Sequence, residues 1–396
     1  VPLIKTVLLI LLFISCHLFV GVARAAIVSS DNYGSDNDDL REKEPVPDAT
    51  QKTPLDNRLG SNIAKKLRGG EWVVAPIPNY DPSQQWGLVL LAQRIFAHEE
   101  GVKPSIAVGA VFATEKKSYG GVAGYVGRLN EDHMRLNLFG GYAKVNTDFY
   151  GIGKNESQKD LSVLLEQDVV FLATELLPRV GDGFYLGPTL SYIDIKNAFD
   201  IPNVPPTVSS SGQMDSESLV PGVKFQYDKR NNTFYPTEGI YTNLNLQFYD
   251  ERLGGGHTFQ RYKANFNQYF SIINDDVIAA RAAIQANIGD VPFYNMAIFG
   301  QGPDLRGFKA GKYRDKILWA TQGEYRHRFN DHWGMVLFGG VGDVADEISD
   351  LSLTDLLWSG GTGVRYRLGK LNPVDFRVDV AHGDDWVWYF SVNQAF

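Results

Sequence analysis

From Glu71 to Phe396 the chain is written in segments of about ten residues with period-two alternation, separated by Gly, Asn, Asp and Pro turns. Ile240, Thr242, Leu244, Leu246 and Phe248 alternate with Tyr241, Asn243, Asn245 and Gln247. The next segment sets Tyr262, Ala264, Phe266 and Phe270 against Arg261, Lys263, Asn265 and Asn267. The last segment puts Trp386, Trp388, Phe390, Val392 and Phe396 on one side. Successive side chains of a strand point to opposite faces, so each segment presents one apolar and one polar face. No stretch of this region carries a helical period. The 40 glycines argue the same way, since Gly inside a helix costs about 1 kcal/mol relative to Ala. The pattern requires an all-β fold.

Alternation alone also fits a soluble β-sandwich. Three features favour a transmembrane antiparallel β-barrel. The segments run from 9 to 16 residues, whereas globular strands centre on about 5 to 6. Aromatic pairs sit at segment ends, as Phe149-Tyr150 and Phe234-Tyr235, in the manner of interfacial girdles. The chain also opens on an export signal. Lys5 precedes an apolar run from Val7 to Val22, and Ala23-Arg24-Ala25 reads as a cleavage site. That run is short of the roughly 20 apolar residues a spanning helix needs; an uncleaved anchor is the alternative. Phe13-Ile14-Ser15 is a poor lipobox for Cys16, the single cysteine, so the rest of the chain has no disulfide or Cys-ligated metal. The expected organisation is a signal peptide over 1–25, a disordered lead-in over 26–70 and a barrel over 71–396, placed in the bacterial outer membrane.

About sixteen segments are counted between 71–80 and 385–396, an even number as single-chain bacterial barrels have. The parity checks itself. The long connections 199–217, 290–315 and 344–356 fall at one end, and the short turns 235–239, 274–275 and 330–332 at the other. Asn, Gln, Arg and Lys on the polar faces suit a watered lumen. Charge is mildly acidic, with 38 Lys and Arg against 46 Asp and Glu, which argues against a nucleic-acid partner.

The connection 290–315 is the informative one. It holds Gly300-Gln301-Gly302-Pro303-Asp304-Leu305-Arg306-Gly307-Phe308, and the next strand carries Gln322-Gly323-Glu324-Tyr325-Arg326. A connection of this length is functional or disordered more often than idle. Glycines flanking the Arg306 region suggest a tight fold that holds one guanidinium in place. Leu305-Arg306-Gly307-Phe308 resembles the VRGF/Y loop of the BamA/TamA family, the bacterial surface-antigen superfamily of protein-assembly and secretion barrels. Tyr227-Asp228-Lys229-Arg230 with Pro236 and Gly239 resembles that family's D-x-R and P-x-x-G strand and turn. Pro76 to Tyr80 with Trp86-Gly87-Leu88, Phe338 to Gly342, and Gly361 to Arg365 resemble further barrel motifs in the right order. The resemblance covers Glu71 to Phe396. It implies a loop folded into the lumen, its Arg paired with carboxylates on the following strands. Glu324 matches the first carboxylate. Gly340 stands where the second belongs, Asp343 has the wrong parity, and Asp379 has the right one, with Asp375 and Arg377. Family members usually carry N-terminal POTRA domains; with 45 residues ahead of the barrel, the chain resembles the POTRA-less branch. Phe390, Val392 and Phe396 resemble the terminal signature by which barrels are recognised for insertion.

The alternative for Arg306 and Glu324 is an ordinary luminal salt bridge of a porin. No enzyme is expected. There is no G-x-S-x-G; His98-Glu99-Glu100 lacks the second His of a zinc motif; His327 and His332 flank a turn rather than share a helix face. A spatially assembled Ser-His pair stays open. The Gly tracts lack the strand-loop-helix setting of a phosphate loop. Asp384-Asp385 reads as a solvated charge pair. No cofactor, metal or catalytic residue is assigned. The expected function is moving or inserting a client polypeptide, with the luminal loop as plug or lock. A passive pore and a surface-exposed structural barrel are the alternatives. Expected partners are outer-membrane lipid and the barrel-assembly machinery; a secreted client and a second copy of the chain stay open.

Overall fold

A computed structural model describes residues 70–81, 83–96, 105–154, 162–200, 215–232, 235–272, 276–300, 304–352, 354–368, 374–384, 386–392 and 394–396. The expected signal peptide and nearly all of the lead-in lie outside the described residues, as does most of the connection 199–217.

The strands are β1 (Gly70–Asp81), β2 (Gln85–Phe96), β3 (Ile106–Thr114), β4 (Tyr119–Leu129), β5 (Met134–Phe149), β6 (Val163–Gly181), β7 (Phe184–Asp200), β8 (Ser216–Asp228), β9 (Gly239–Tyr249), β10 (Phe259–Ser271), β11 (Val277–Gly289), β12 (Ala297–Ile298), β13 (Arg314–Asp315), β14 (Ile317–Arg328), β15 (Trp333–Ala345), β16 (Leu357–Leu368), β17 (Val374–His382) and β18 (Trp386–Val392). Sixteen of them close into one antiparallel barrel in chain order, and β12 and β13 pair with each other in the connection between β11 and β14. The all-β reading, the sixteen strands and the place of the long connection match the sequence pattern.

Alternation decides which way each side chain faces. On β9 and β10, Leu244, Phe248, Phe266 and Phe270 are exposed, while Gln247, Arg261 and Asn267 are buried. Around the wall, Leu88, Leu90, Leu172, Ile284, Leu337 and Val364 join an exposed apolar belt. A belt of this extent is unfavourable in water and matches a hydrocarbon surround.

The interior is less uniform than the sequence suggests. Towards the long-loop end, Val89, Val108, Phe112, Val169, Phe171 and Ile193 point inward and pack with Val291, Tyr294 and Met296 of the β11–β14 connection. That connection needs an apolar seat, and the wall supplies one. Buried arginines gather nearer the short-turn end, as Arg326, Arg365 and Arg377, while buried Asn146, Gln167, Asn197, Gln247 and Asn287 lie at the long-loop end beside the apolar seat.

Two further differences concern the last strand. It is expected over 385–396, but among the described residues its ladder runs only to the pair Phe376↔Val392, and Gln394–Phe396 lie outside it. Trp386 and Trp388 face outward as expected. Phe396 does not share their side: it is 2% exposed and packs inside the barrel with Tyr269, Ala279 and Ala395. Arg326 Nη2 donates to its carbonyl oxygen at 2.7 Å, which draws the segment inward.

Candidate functional site: the luminal loop and its ion network

Asp290 opens the connection that enters the lumen. The β12–β13 ladder, Ala297↔Asp315 and Ile298↔Arg314, ties its two limbs together. Outside that ladder, Gly153 N donates to Arg314 O at 2.7 Å and fixes the base to the β5–β6 connection. Beyond it the limbs are held by a ring cluster. Phe299 and Phe308 meet edge to face at 5.1 Å between centroids, and Phe308 meets Tyr313 at 5.9 Å. Leu305, Phe299 and Phe308 are all at most 2% exposed, so burying them stabilises the folded loop by about 1.5–3 kcal/mol per side chain as an upper bound.

This packing places Arg306 against the wall. Its Nη2 lies 2.5 Å from Glu324 Oε2 and its Nη1 2.6 Å from Asp379 Oδ2. Nε donates to Gln322 Oε1 at 3.3 Å, and the guanidinium lies 3.3 Å from the Phe338 ring centroid. The backbone N–H of Gly307 donates to the Tyr389 hydroxyl at 2.8 Å. Gly307 has φ +107°, and a Cβ there would sit 2.9 Å from Gly383 N, so both conformation and space ask for glycine.

The two carboxylates serve several cations. Glu324 Oε1 accepts from Arg326 Nε at 2.8 Å. Asp379 Oδ1 accepts from Arg365 Nη1 at 2.5 Å, and Arg377 Nε lies 3.6 Å from Asp379 Oδ2. Asp375 continues the network by pairing with Arg328 and, at 3.2 Å, with Arg367. Six guanidinium groups thus share three carboxylates. Burying ions costs several kcal/mol each unless partners and hydrogen bonds compensate. A surplus of cations therefore needs further acceptors: Gln322 and the Pro236 carbonyl supply two, and the segment after β18 supplies Gln394 Oε1 and the backbone oxygen of Phe396.

The structure brings together Leu305, Arg306, Gly307, Phe308, Glu324 and Asp379. Gly340 is a different matter. A Cβ at Gly340 would lie 2.7 Å from Leu305 Cδ1 and 2.3 Å from Thr321 O. The space beside Gly340, where the sequence resemblance leads one to expect a carboxylate, is filled by the loop's own Leu305, and the second carboxylate on Arg306 is Asp379 of β17. Asp343 faces away from Arg306; its Oδ1 pairs with Lys154 at 2.9 Å. Asp384 is not simply solvated, since Lys312 Nζ of the loop lies 2.7 Å away; Asp385 lies outside the described residues. Phe390 packs on Trp86, with centroids 5.5 Å apart, and Val392 is the last residue of β18.

Two wall arginines escaped the sequence reading. Arg261 Nη2 donates to Asn295 O at 2.8 Å and to Asn295 Oδ1 at 3.0 Å, gripping the loop's entering limb. Arg281 lies 3.1 Å from Asp304, beside Leu305. The signal was present for Arg281: it is the one charge in the alanine-rich strand Val277–Gly289. Among the described residues no cluster of His, Cys, Asp and Glu is arranged to hold a metal ion.

No curated protein matches the sequence. Among solved structures the fold is similar to BamA from Haemophilus ducreyi lacking POTRA domains 1-3, with TM-score 0.56 and 13% identity over 82% of this chain and 70% of that one. It is also similar to CdiB from Acinetobacter baumannii (TM-score 0.53, 11% identity, 82% of this chain and 59% of that one). CdiB from Escherichia coli gives TM-score 0.54 and 11% identity over 82% of this chain and 62% of that one. The chain spans less than two thirds of either CdiB chain. Residues 143–396 match the model of the Omp85 superfamily domain. That stretch takes in the luminal loop, both wall carboxylates and the last strand, and the chain belongs to the Omp85 superfamily.

Proposed function

We propose that this barrel sits in the outer membrane and inserts or moves a client polypeptide, with the luminal loop as its lock. Superfamily membership and the exposed apolar belt support the location. One observation carries the activity. β1 pairs with β2 along its whole length, from Gly70↔Phe96 to Asp81↔Gln85, whereas among the described residues its register with β18 is the single pair Tyr80↔Phe390. A strand edge left unpaired is a template for another strand. Pro76 and Pro78 lie on that edge strand and have no N–H to donate, which suits an edge and not a sheet interior. The contact that does hold the seam is aromatic, Trp86 lying 5.2 Å from Tyr80 and 5.5 Å from Phe390 between centroids. On this reading the barrel-assembly machinery delivers the chain to the membrane, and a client strand enters at the seam.

The test is a reversible staple. Tyr80→Cys with Phe390→Cys places two thiols on paired positions, and Cys16 is the single native cysteine. Vesicles containing the reduced variant should accelerate insertion of an unfolded outer-membrane barrel, and oxidation should abolish the acceleration until reductant is added. Equal acceleration in both states would sink the seam reading. A passive pore would accelerate insertion in neither state.

A further inference from the structure

The segment Gln394–Phe396 follows β18 without belonging to its ladder. It is held as a ligand is held, by side chains and one carbonyl. Arg326 Nη2 donates to Phe396 O at 2.7 Å. Arg365 Nε donates to Gln394 Oε1 at 3.0 Å, and Gln394 Nε2 donates to Asp375 Oδ2 at 2.6 Å. The Phe396 ring is buried with Tyr269 and Ala279, and the Arg326 guanidinium lies 5.8 Å from its centroid. Most of these wall residues stand on β10, β11, β14 and β16, each paired with both barrel neighbours without the segment; Asp375, on β17, is paired with β16 alone among the described residues. The slot therefore has most of its shape independently of what fills it. Its chemistry also asks for an occupant, because Arg326 and Arg365 belong to the network in which guanidinium outnumbers carboxylate. Withdrawing Gln394 and Phe396 strips buried donors of their acceptors, which is the costly way to leave a polar group.

We propose that this slot is a peptide-binding site, filled in cis by Gln394–Phe396 and able to take in trans an extended segment carrying a carboxamide side chain and, two residues later, an aromatic ring. The inference deepens the polypeptide-handling reading and rests on it for its purpose. The site lies on the luminal wall and not at the seam edge. Attachment through the preceding strand gives the cis segment an effective concentration on the order of millimolar, so a free peptide competes only when that segment is displaced.

The probe is a fluorescein-labelled hexapeptide of residues 391–396, Ser-Val-Asn-Gln-Ala-Phe, titrated by anisotropy against the protein in detergent. A chain ending at Asn393 should bind it saturably, and the full chain should bind it about tenfold more weakly or less. Arg326→Gln in the shortened chain should weaken binding by about tenfold, as should a peptide with Ala in place of Gln and Phe. Absence of saturable binding to a shortened chain that still migrates as a folded barrel would overturn the proposal, and so would unchanged binding by Arg326→Gln. If the shortened chain fails to fold, the full chain with Gln394→Ala and Phe396→Ala keeps its backbone and loses its anchors. Binding to that variant no tighter than to the unaltered chain overturns the proposal equally. No client and no seam opening enters the titration, so its failure leaves the seam reading standing, and failure of the staple experiment leaves the slot standing.

Discussion

Arg306 and Asp379 are 73 positions apart in sequence and 2.6 Å apart across the lumen, guanidinium to carboxylate, with both side chains almost wholly buried. The pair ties a connection between the eleventh and twelfth barrel strands to the fifteenth. Asp379 stands two strands beyond Gly340, the position at which the sequence resemblance leads one to expect the carboxylate.

The two carboxylates should not be equal. Asp379 faces Arg306, Arg365 and Arg377, whereas Glu324 faces Arg306 and Arg326. Neutralising one member of a buried pair costs roughly 3–5 kcal/mol, less where water reaches the site. Glu324→Gln and Asp379→Asn should both loosen the loop and raise the noise of single-channel recordings, with Asp379→Asn the worse and the lower in thermal midpoint. The reverse order in melting curves would refute the argument from shared partners.

Gly340→Asp should not restore a second lock. On sequence alone the added carboxylate would quieten the pore, but its Cβ meets Thr321 O and the loop's Leu305. Overpacking of this kind costs about 1–3 kcal/mol. The variant should lower the temperature at which the barrel loses its compact gel mobility. Leu305→Ala should recover only part of the loss, because the Thr321 carbonyl remains. A thermal midpoint at or above the native one would show that the wall yields more readily than its geometry suggests.

Arg306→Met separates loop from wall. Glu324 keeps Arg326, and Asp379 keeps Arg365 and Arg377, so neither carboxylate is left bare. The loop should become open to added protease while the barrel's melting temperature changes little. Tyr389→Phe should act in the same direction more weakly, removing one hydrogen bond worth about 1 kcal/mol net. Cleavage confined to 290–316 is the expected product; an unchanged digestion pattern for Arg306→Met would mean that Arg261 and the aromatic cluster hold the loop unaided.

Deleting Phe396 should sharply lower the amount of protein reaching the outer membrane, measured by fractionation and immunoblot. Unchanged levels would remove the residue from any insertion signal. Phe390→Ala gives the comparison, since Phe390 stays on β18 against Trp86 whereas Phe396 ends in the lumen. Loss with the first change alone would assign the signal to the luminal segment.

The barrel was legible because one period governs it. Residues such as Asn267 and Arg326 declare the inward face, and a single inward parity on β14 and β17 picks out Glu324 and Asp379 before any distance is known. Parity fails where a ladder stops. Nothing in Phe390, Val392 and Phe396 says that Gln394–Phe396 leave the ladder and that Phe396 packs inside the barrel. Contacts across the lumen are equally silent: Leu305 filling the space at Gly340, and Arg261 reaching Asn295, depend on how a long connection folds rather than on any local pattern. The apolar seat of that connection was missed for the same reason, since Val169 and Phe171 read as ordinary strand residues until Val291, Tyr294 and Met296 lie against them.

The imbalance of six guanidinium groups to three carboxylates near the short-turn end has an electrical meaning. A low-dielectric cylinder focuses the field of its wall charges along its axis. Any small ion crossing that stretch while the loop is displaced meets a positive collar. The leak of this barrel should favour chloride over potassium, and a salt gradient across a bilayer should give a reversal potential of the sign that anion preference dictates.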